Sequence, residues 1–527
     1  MKRNVVLIII ILFLLSLVVH FYPVFKKGYS FDSFGGNLIL ARNFALTDQF
    51  KIESEKNIYL SSERIEQEGI YCDWGNKLTP YIYGWVFKVL GFNQNLPLYF
   101  ALILWSLSGV ILFLVVLRLF NLKVALIFGL IDIFTPVFAQ GSLMAGFYEW
   151  AVLFFSLGLL TYLWPKKEKE GKNSWLSLLL TSLFFGLASL ARNVFLLSFI
   201  PFAIYDFWQN KSYKRLLVFA MPFIIIWGIY LVPGYLVGSP NAYLSPQDTS
   251  FNYYGHLFPD PYTYHFEKEE HLESVLGDYD VYFSEYLLKY DYPVSFTDRL
   301  RLYLESALFY PKEISRITVL GGPLILLLLM AGLIYLYREK RYLFKLFVLW
   351  GIVWYFLLIV LKTNNWDHFM ELRLPIALSI SLGVVWLTDH IMGLSFSKNI
   401  KYLVIAVFLL FLIFHFGLSN KWMLHEEYGT SKADVIRELA QVINREQLDK
   451  QNDVIAVNIH PVLQALNYYT DQNIIYFSSQ TVERLLEQNK LTEAFKEFGV
   501  TKIIGFDPDL SQRITEQTGL NSLGLVK

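Results

Sequence analysis

The chain has 527 residues, and 45 Lys+Arg balance 45 Asp+Glu to a formal charge of zero, so no bulk electrostatic attraction to nucleic acid is expected. Hydrophobic residues make up 55% of the sequence and charged residues 17%, which is too apolar for a soluble chain and incompatible with disorder; the excess calls for lipid. The one cysteine, Cys72, excludes a disulfide framework and a cysteine-rich metal site.

Met1, Lys2 and Arg3 precede a run from Val5 to Val19 that is apolar except for Ser16 and extends to about Phe25. Bulky Tyr22-Pro23-Val24-Phe25 stands where a signal peptidase would need small residues, so the run reads as a retained anchor with a cytoplasmic N-terminus. Further apolar runs lie near 97–117, 122–139, 148–164, 174–191, 193–209, 215–237, 317–337, 342–362, 374–393 and 400–418. Each approaches the ~20 residues that cross a bilayer, which predicts about 11 transmembrane helices. Basic residues fall in alternate short loops: Arg118 and Lys123; Lys166, Lys167, Lys169 and Lys172; Lys211, Lys214 and Arg215; Arg338, Lys340, Arg341 and Lys345; Lys398 and Lys401. The short stretch between Gln140 and Phe147 has none, so the positive-inside rule places the basic loops in the cytoplasm and the C-terminus outside.

Three polar regions, 26–96, 238–316 and 419–527, then face outward. The expected organisation is a transmembrane domain over 1–418, with large outer loops at 26–96 and 238–316, and a soluble extracytoplasmic domain over 419–527. Neither a G-x-x-x-x-G-K-[ST] loop nor a Rossmann glycine motif is present, so neither a nucleotide-driven machine nor a cofactor is expected, and the cytoplasmic face is left with short loops. In the tail, Ser431-x-x-Asp434 reads as a capping box, and Val435, Leu439, Val442 and Ile443 recur at helical spacing. Short apolar runs at Val454–Ile459, Ile474–Phe477 and Ile503–Phe506 alternate with helical stretches at Thr481–Glu487 and Leu491–Phe498, which predicts a small α/β domain with a mostly parallel sheet. It carries no catalytic motif and reads as a stability or docking module.

Asp32, within Gly28-Tyr-Ser-Phe-Asp-Ser-Phe-Gly-Gly, sits just past the first span. Partial desolvation there suits a general base, and an N-cap for a helix starting near Asn37 is the alternative. Residues 37–46 and 81–90 form two short amphipathic helices suited to lying at the membrane interface or to covering the bundle. Lys77 precedes the second, where it either grips a phosphate headgroup or is an ordinary interfacial lysine. Glu149 stands at the mouth of a span, where an unpaired carboxylate is costly and usually functional. Asp132 lies roughly mid-span by residue count and reads as a helix-packing hydrogen-bonder or part of a path. Arg192, between two spans, either snorkels to headgroups or binds an anionic substrate. Asp367-His368-x-x-Glu371-x-Arg373-x-Pro375 is the densest polar cluster at a membrane edge. Arg373 suits a lipid phosphate, and Asp367, His368 and Glu371 offer a loose set of donors for substrate or for a divalent metal.

The order of these features resembles the GT-C-type membrane glycosyltransferases, within the protein O-mannosyltransferase and lipid A aminoarabinose-transferase superfamily. One span, an outer loop opening on an acidic residue, Lys77-x-x-Pro80 before the second interfacial helix, Glu149, the Gly186-Leu-Ala-Ser-Leu-Ala-Arg192 run and Glu371-x-Arg373-x-Pro375 carry the likeness over roughly residues 1–420. The resemblance implies a sugar donor on a polyprenyl phosphate, an acceptor hydroxyl on a lipid, glycan or protein, and an inverting transfer at the outer face of the cell membrane. It implies that Asp32 deprotonates the acceptor, that Glu149 positions acceptor or base, and that Lys77, Arg192 and Arg373 bind the departing lipid phosphate, beside His368 and Glu371. A polyprenyl-linked glycan polymerase or ligase and a secondary transporter are the competing readings.

Overall fold

The computed structural model describes residues 3–27, 37–69, 78–163, 175–236, 304–361, 366–428, 432–458 and 463–523, a few single positions within these ranges excepted. Asp32, Lys77 and Ser431 lie outside the described residues, as does nearly all of the second large loop. The chain divides into two compact units. One is built from Met1–Gly28, Pro97–Gly238 and Asp298–Thr430, and the other joins the first outer loop to the tail.

The first unit is helical. Its helices are α1 (Arg3–Lys27) and then, after the first outer loop with its own α2 (Asn37–Thr47), α3 (Ser62–Glu68) and α4 (Leu78–Leu90), α5 (Leu96–Leu119), α6 (Leu122–Phe134), α7 (Pro136–Gly141), α8 (Glu149–Leu163), α9 (Trp175–Ala191), α10 (Leu196–Asn210), α11 (Tyr213–Leu236), α12 (Pro323–Glu339), α13 (Arg341–Leu361), α14 (Arg373–Gly393) and α15 (Lys398–Tyr428). Every apolar run read from the sequence overlaps one of these helices, and the run over 122–139 overlaps two. Among the described residues, Arg3–Phe21, Leu96–Leu119, Phe369–Gly393 and Lys398–Met423 are long and apolar enough to cross a membrane. The chain is a polytopic α-helical membrane protein.

The run expected over 122–139 is broken. Asn121 caps α6 by accepting from Val124 N, and the helix stops at Thr135 because Pro136 has no N–H and disfavours the helical conformation in the residue before it. Asp132 therefore sits in the last turn of α6. Close packing depends on glycine. A Cβ on Gly332 would lie 1.6 Å from the Ser379 carbonyl oxygen, and one on Gly383 would lie 2.0 Å from the Leu328 oxygen, so the backbones of α12 and α14 touch where only glycine fits.

The second unit contains the tail helices α16 (Lys432–Arg445), α17 (Leu463–Thr470), α18 (Ser479–Glu487), α19 (Leu491–Glu497) and α20 (Pro508–Thr518), with strands β1 (Val454–Val457), β2 (Asn473–Tyr476) and β3 (Val500–Ile504). The sheet is parallel in the order β2-β1-β3, with Ile455 opposite Ile474 on one side and opposite Lys502 on the other. On α16, Leu439, Val442 and Ile443 are buried as the spacing predicts, but Val435 is exposed and Ile436 is buried in its place. The first outer loop completes this sheet: Tyr59 forms an antiparallel bridge with Ile474, exchanging both backbone hydrogen bonds at 2.9 Å. Ile58, Leu60 and Ile65 enter the same apolar core as Val454, Ile475, Phe495 and Ile503. Helix α2 packs on α4 and on α17. On α4, Tyr83, Gly84 and Phe87 face inward, and Tyr81, Trp85 and Val89, four residues apart, remain exposed.

Candidate functional site

Several buried charges of the first unit stand at helix ends. Glu149 opens α8 and is 1% exposed, and its Oε1 accepts from the Gly146 backbone N–H at 2.8 Å. A carboxylate at a helix N-terminus is favoured by the exposed amide dipoles, which offsets part of the cost of burying it. Arg192 follows the last residue of α9, where the carbonyl ends of the helix favour a cation. Helices α8 and α9 pack together, and Tyr148 links the two charges: the Arg192 guanidinium lies 4.9 Å from the Tyr148 ring centre and reaches its hydroxyl at 3.5 Å.

Rings carry the packing onward from Tyr148. Its ring meets Phe195 at 6.3 Å, Phe195 meets Phe155 at 5.1 Å, and Phe155 meets Trp350 on α13 at 5.4 Å. One helical turn further along α13, Trp354 donates its indole N–H to Glu371 Oε2 at 3.1 Å. Glu371 is fully buried in the 3-10 helix Trp366–Leu372, and Trp354 packs against Phe369 of the same turn and against Tyr310, at 5.4 and 4.9 Å. A buried carboxylate needs hydrogen-bond donors of this kind. The side chain of His368 lies outside the described residues.

Arg373 begins α14 and is 3% exposed. Its Nε and Nη2 donate to the two carboxylate oxygens of Asp132 at 2.5 and 2.6 Å, a parallel two-pronged pair, and its guanidinium lies over the Trp105 ring at 4.3 Å. Gly109 makes room for the pair, since a Cβ there would stand 2.8 Å from Asp132 Oδ2. Among the described residues, Arg373 Nη1 and Trp105 Nε1 are buried donors without a partner. A void of about 10 Å³, the size of one water, lies beside Asp132, Gly109, Ser106 and Ser16. Polar contacts lead away from it: Ser106 donates to Ser16 at 2.9 Å, Ser16 lies 3.3 Å from His20 Nδ1, and His20 Nε2 donates to the Ile133 carbonyl at 3.2 Å.

Of the residues singled out in the sequence, the structure thus packs Arg192 on Tyr148, the chain neighbour of Glu149, and ties Arg373 to Asp132 and Glu371 to Trp354. Trp354, Tyr310 and Trp105 carry no polar sequence motif, and the period of a buried span does not separate a ring beside a carboxylate from one facing lipid. The Asp132–Arg373 pairing had no local sequence signal, because the two residues are 241 positions apart and Arg373 has nearer acidic neighbours in Asp367 and Glu371. Among the described residues, no group of three or more His, Cys, Asp and Glu side chains is placed to hold a metal ion.

No protein-family model and no curated protein matches the sequence. Among solved structures, the oligosaccharyltransferase of Archaeoglobus fulgidus, in a complex with Zn and sulfate, is similar with a TM-score of 0.54 and 12% identity, over 89% of this chain and 62% of that one. The archaeal oligosaccharyltransferase AglB of the same organism, in complex with an inhibitory peptide and a dolichol-phosphate, gives a TM-score of 0.55 and 13% identity over 94% and 68%. The chain has the GT-C fold. It spans roughly two thirds of the length of these oligosaccharyltransferase chains, 62% of one and 68% of the other. ArnT from Cupriavidus metallidurans in the apo state is also similar, at 11% identity over 97% of this chain and 88% of that one, with a TM-score of 0.49. Within the GT-C fold of this chain, the buried carboxylates and guanidiniums stand at helix ends, where charge meets the least hydrocarbon.

Proposed function

We propose that this chain is an integral membrane glycosyltransferase that moves a sugar from a polyprenyl-phosphate donor to an acceptor hydroxyl on the outer side of the cell membrane. The observation that carries the reading is the placement of Glu149, a carboxylate 1% exposed at a helix mouth, with the Arg192 cation packed on the ring of its chain neighbour Tyr148, in a GT-C fold. A buried carboxylate and a buried cation that share Tyr148 as neighbour suit a reaction in which a neutral hydroxyl attacks while a phosphate leaves. The acceptor oxygen forms a bond to the anomeric carbon and its proton passes to Asp32. The bond from that carbon to the phosphate oxygen breaks, and the lipid phosphate departs with the electron pair, inverting the centre. Charge grows on the departing phosphate, so fixed guanidiniums and Lys77 stabilise the transition state more than the ground state.

In this reading Glu149 positions the acceptor or the base, and Arg192 holds the phosphate. Arg373 is aimed by Asp132, which takes two of its nitrogens and leaves Nη1 for an anionic oxygen. Glu371 and His368 are assigned to substrate binding. The archaeal AglB structure with a dolichol-phosphate supports a lipid-linked donor of this chemistry. A transport path would need Asp132 free to titrate or bind cargo, and its two-pronged pairing with Arg373 weighs against that use. The test is envelope mass spectrometry on cells carrying wild-type protein or Glu149→Gln. The amide still accepts from Gly146 N–H, so the fold stays, and the wild-type-dependent sugar species should disappear; its persistence at wild-type level refutes the reading.

A further inference from the structure

Tyr148 is tied to one charge by the chain and to another by its ring. Its carbonyl accepts from Val152 N at 2.9 Å and so opens the first turn of α8, and Glu149 is the next residue. Its side chain is fully buried, with the Arg192 guanidinium over the ring at 4.9 Å. The hydroxyl meets Arg192 Nη2 only at 3.5 Å, the outer limit of a hydrogen bond, so the face of the ring does most of the holding. The backbone of Arg192 is fixed as well: its N–H donates to the Ala188 carbonyl at 2.9 Å, and its own carbonyl accepts from Phe195 N at 3.0 Å. The Phe195 ring meets Tyr148 edge-on at 6.3 Å and Phe155 at 5.1 Å, and Phe155 stands on α8 about two turns beyond Tyr148. Two rings, one just ahead of α8 and one on it, thereby grip the turn that carries Arg192.

A buried arginine can be anchored by a carboxylate, as Arg373 is by Asp132, but such a partner consumes N–H groups and cancels the charge. An aromatic face does neither. It attracts the cation through the ring quadrupole, and the guanidinium donors stay in their own plane, parallel pairs that match the oxygens of a phosphate. We propose that Tyr148 is the positioning residue of Arg192: its ring fixes the guanidinium by one face beside the mouth of α8, so that the in-plane donors meet the oxygens of a lipid-borne phosphate. This rests on the reading of Arg192 as the holder of the donor phosphate given above. It assigns a part in recognition to an uncharged residue whose ring would otherwise count as packing.

The experiment uses the full chain in lipid nanodiscs. Tyr148→Phe removes the hydroxyl, and replacing Tyr148 by mono-, di- and trifluorophenylalanine then drains the ring face of negative potential at nearly constant shape. Binding of undecaprenyl phosphate, undecaprenol and inorganic phosphate is measured for each protein, with a melting curve on the same preparation. The affinity for undecaprenyl phosphate should fall stepwise along the fluorinated series, by about tenfold from Tyr148→Phe to the trifluorinated ring, while undecaprenol binding and the melting temperature hold constant. A flat series overturns the proposal. So does a series in which undecaprenol binding or the melting temperature falls in step, since that marks the ring as packing, and so does inorganic phosphate binding as tightly as the lipid, since the site then takes free phosphate. Arg192→Gln separates the two failures. If it weakens undecaprenyl phosphate binding while the fluorinated series is flat, only the assignment of Tyr148 fails; if it binds like the wild type, the reading of Arg192 fails and the proposal with it.

Discussion

Replacing Asp132 by leucine should be among the most damaging single changes in the helical bundle, and replacing Arg373 by methionine as well should repair most of the damage. The pair is 1% and 4% exposed by side chain and makes two charge-assisted hydrogen bonds of 2.5 and 2.6 Å. Two such bonds at about 1.5–3 kcal/mol each, lost while the guanidinium stays buried, give a cost of about 4 kcal/mol for Asp132→Leu. Trp105, at 4.3 Å from the guanidinium carbon, returns about 1 kcal/mol of that through cation–π attraction. Either single change should therefore cost about 3–4 kcal/mol and the double change about 1, a coupling of about 6 kcal/mol or a factor of about 10⁴ in the unfolding constant. Ordinary hydrogen bonds between membrane helices couple by only about 0.6 kcal/mol, so the two magnitudes are separable. Steric-trapping unfolding in bicelles on the four proteins measures the cycle. A coupling below about 1 kcal/mol would refute the argument, because it would mean that the guanidinium finds water or another partner once Asp132 is gone.

Other consequences are as direct. Glu149→Gln should lower transfer by about 100-fold or more with unchanged thermal stability, read from the envelope sugar species and a melting curve on the same preparation. Gly332→Ala places a methyl 1.6 Å from a backbone oxygen that cannot yield, so α12 and α14 must separate; a loss of about 3 kcal/mol is expected, against under about 1 for Gly351→Ala, where nothing stands within 4 Å. Acid should loosen the second unit through Asp471. Burial alone would raise its carboxyl, but Arg42, Ser62 and Lys450 outweigh that and hold it below the ordinary carboxylate range. The folded value lies below the unfolded one, so the stabilisation is complete above about pH 4 and is lost as pH falls through the folded value. Hydrogen exchange of 37–47 between pH 5 and 2.5 should reveal that acid-induced loosening, and Asp471→Asn should abolish its pH dependence while lowering protection throughout.

The helical bundle was legible because hydrocarbon makes a local demand: each span must be apolar along its own length, so runs such as 97–117 and 374–393 declare themselves without knowledge of their neighbours. The tail was legible for a similar reason. Buried parallel strands read as short apolar runs, and Val454–Val457 and Asn473–Tyr476 lie close to where the pattern put them. Asp132, Glu149, Arg192, Glu371 and Arg373 stood out because charge is rare and costly in such runs. Their partners did not stand out, since a carboxylate on α6 and a guanidinium on α14 are 241 positions apart and nothing local joins them.

The amino-acid sequence determined by itself which segments form apolar helices and which side chains carry a desolvation cost, since both follow from the composition of contiguous segments. Tertiary structure alone decided which opposite charges cancel, that Gly332 and Gly383 permit two backbones to touch, and that Tyr59 of the first loop adds itself to a sheet formed more than 390 residues later. These are pairings between distant segments. Each is selected by the free energy of leaving a buried donor, acceptor or charge unmatched, a quantity that exists only once the segments have met.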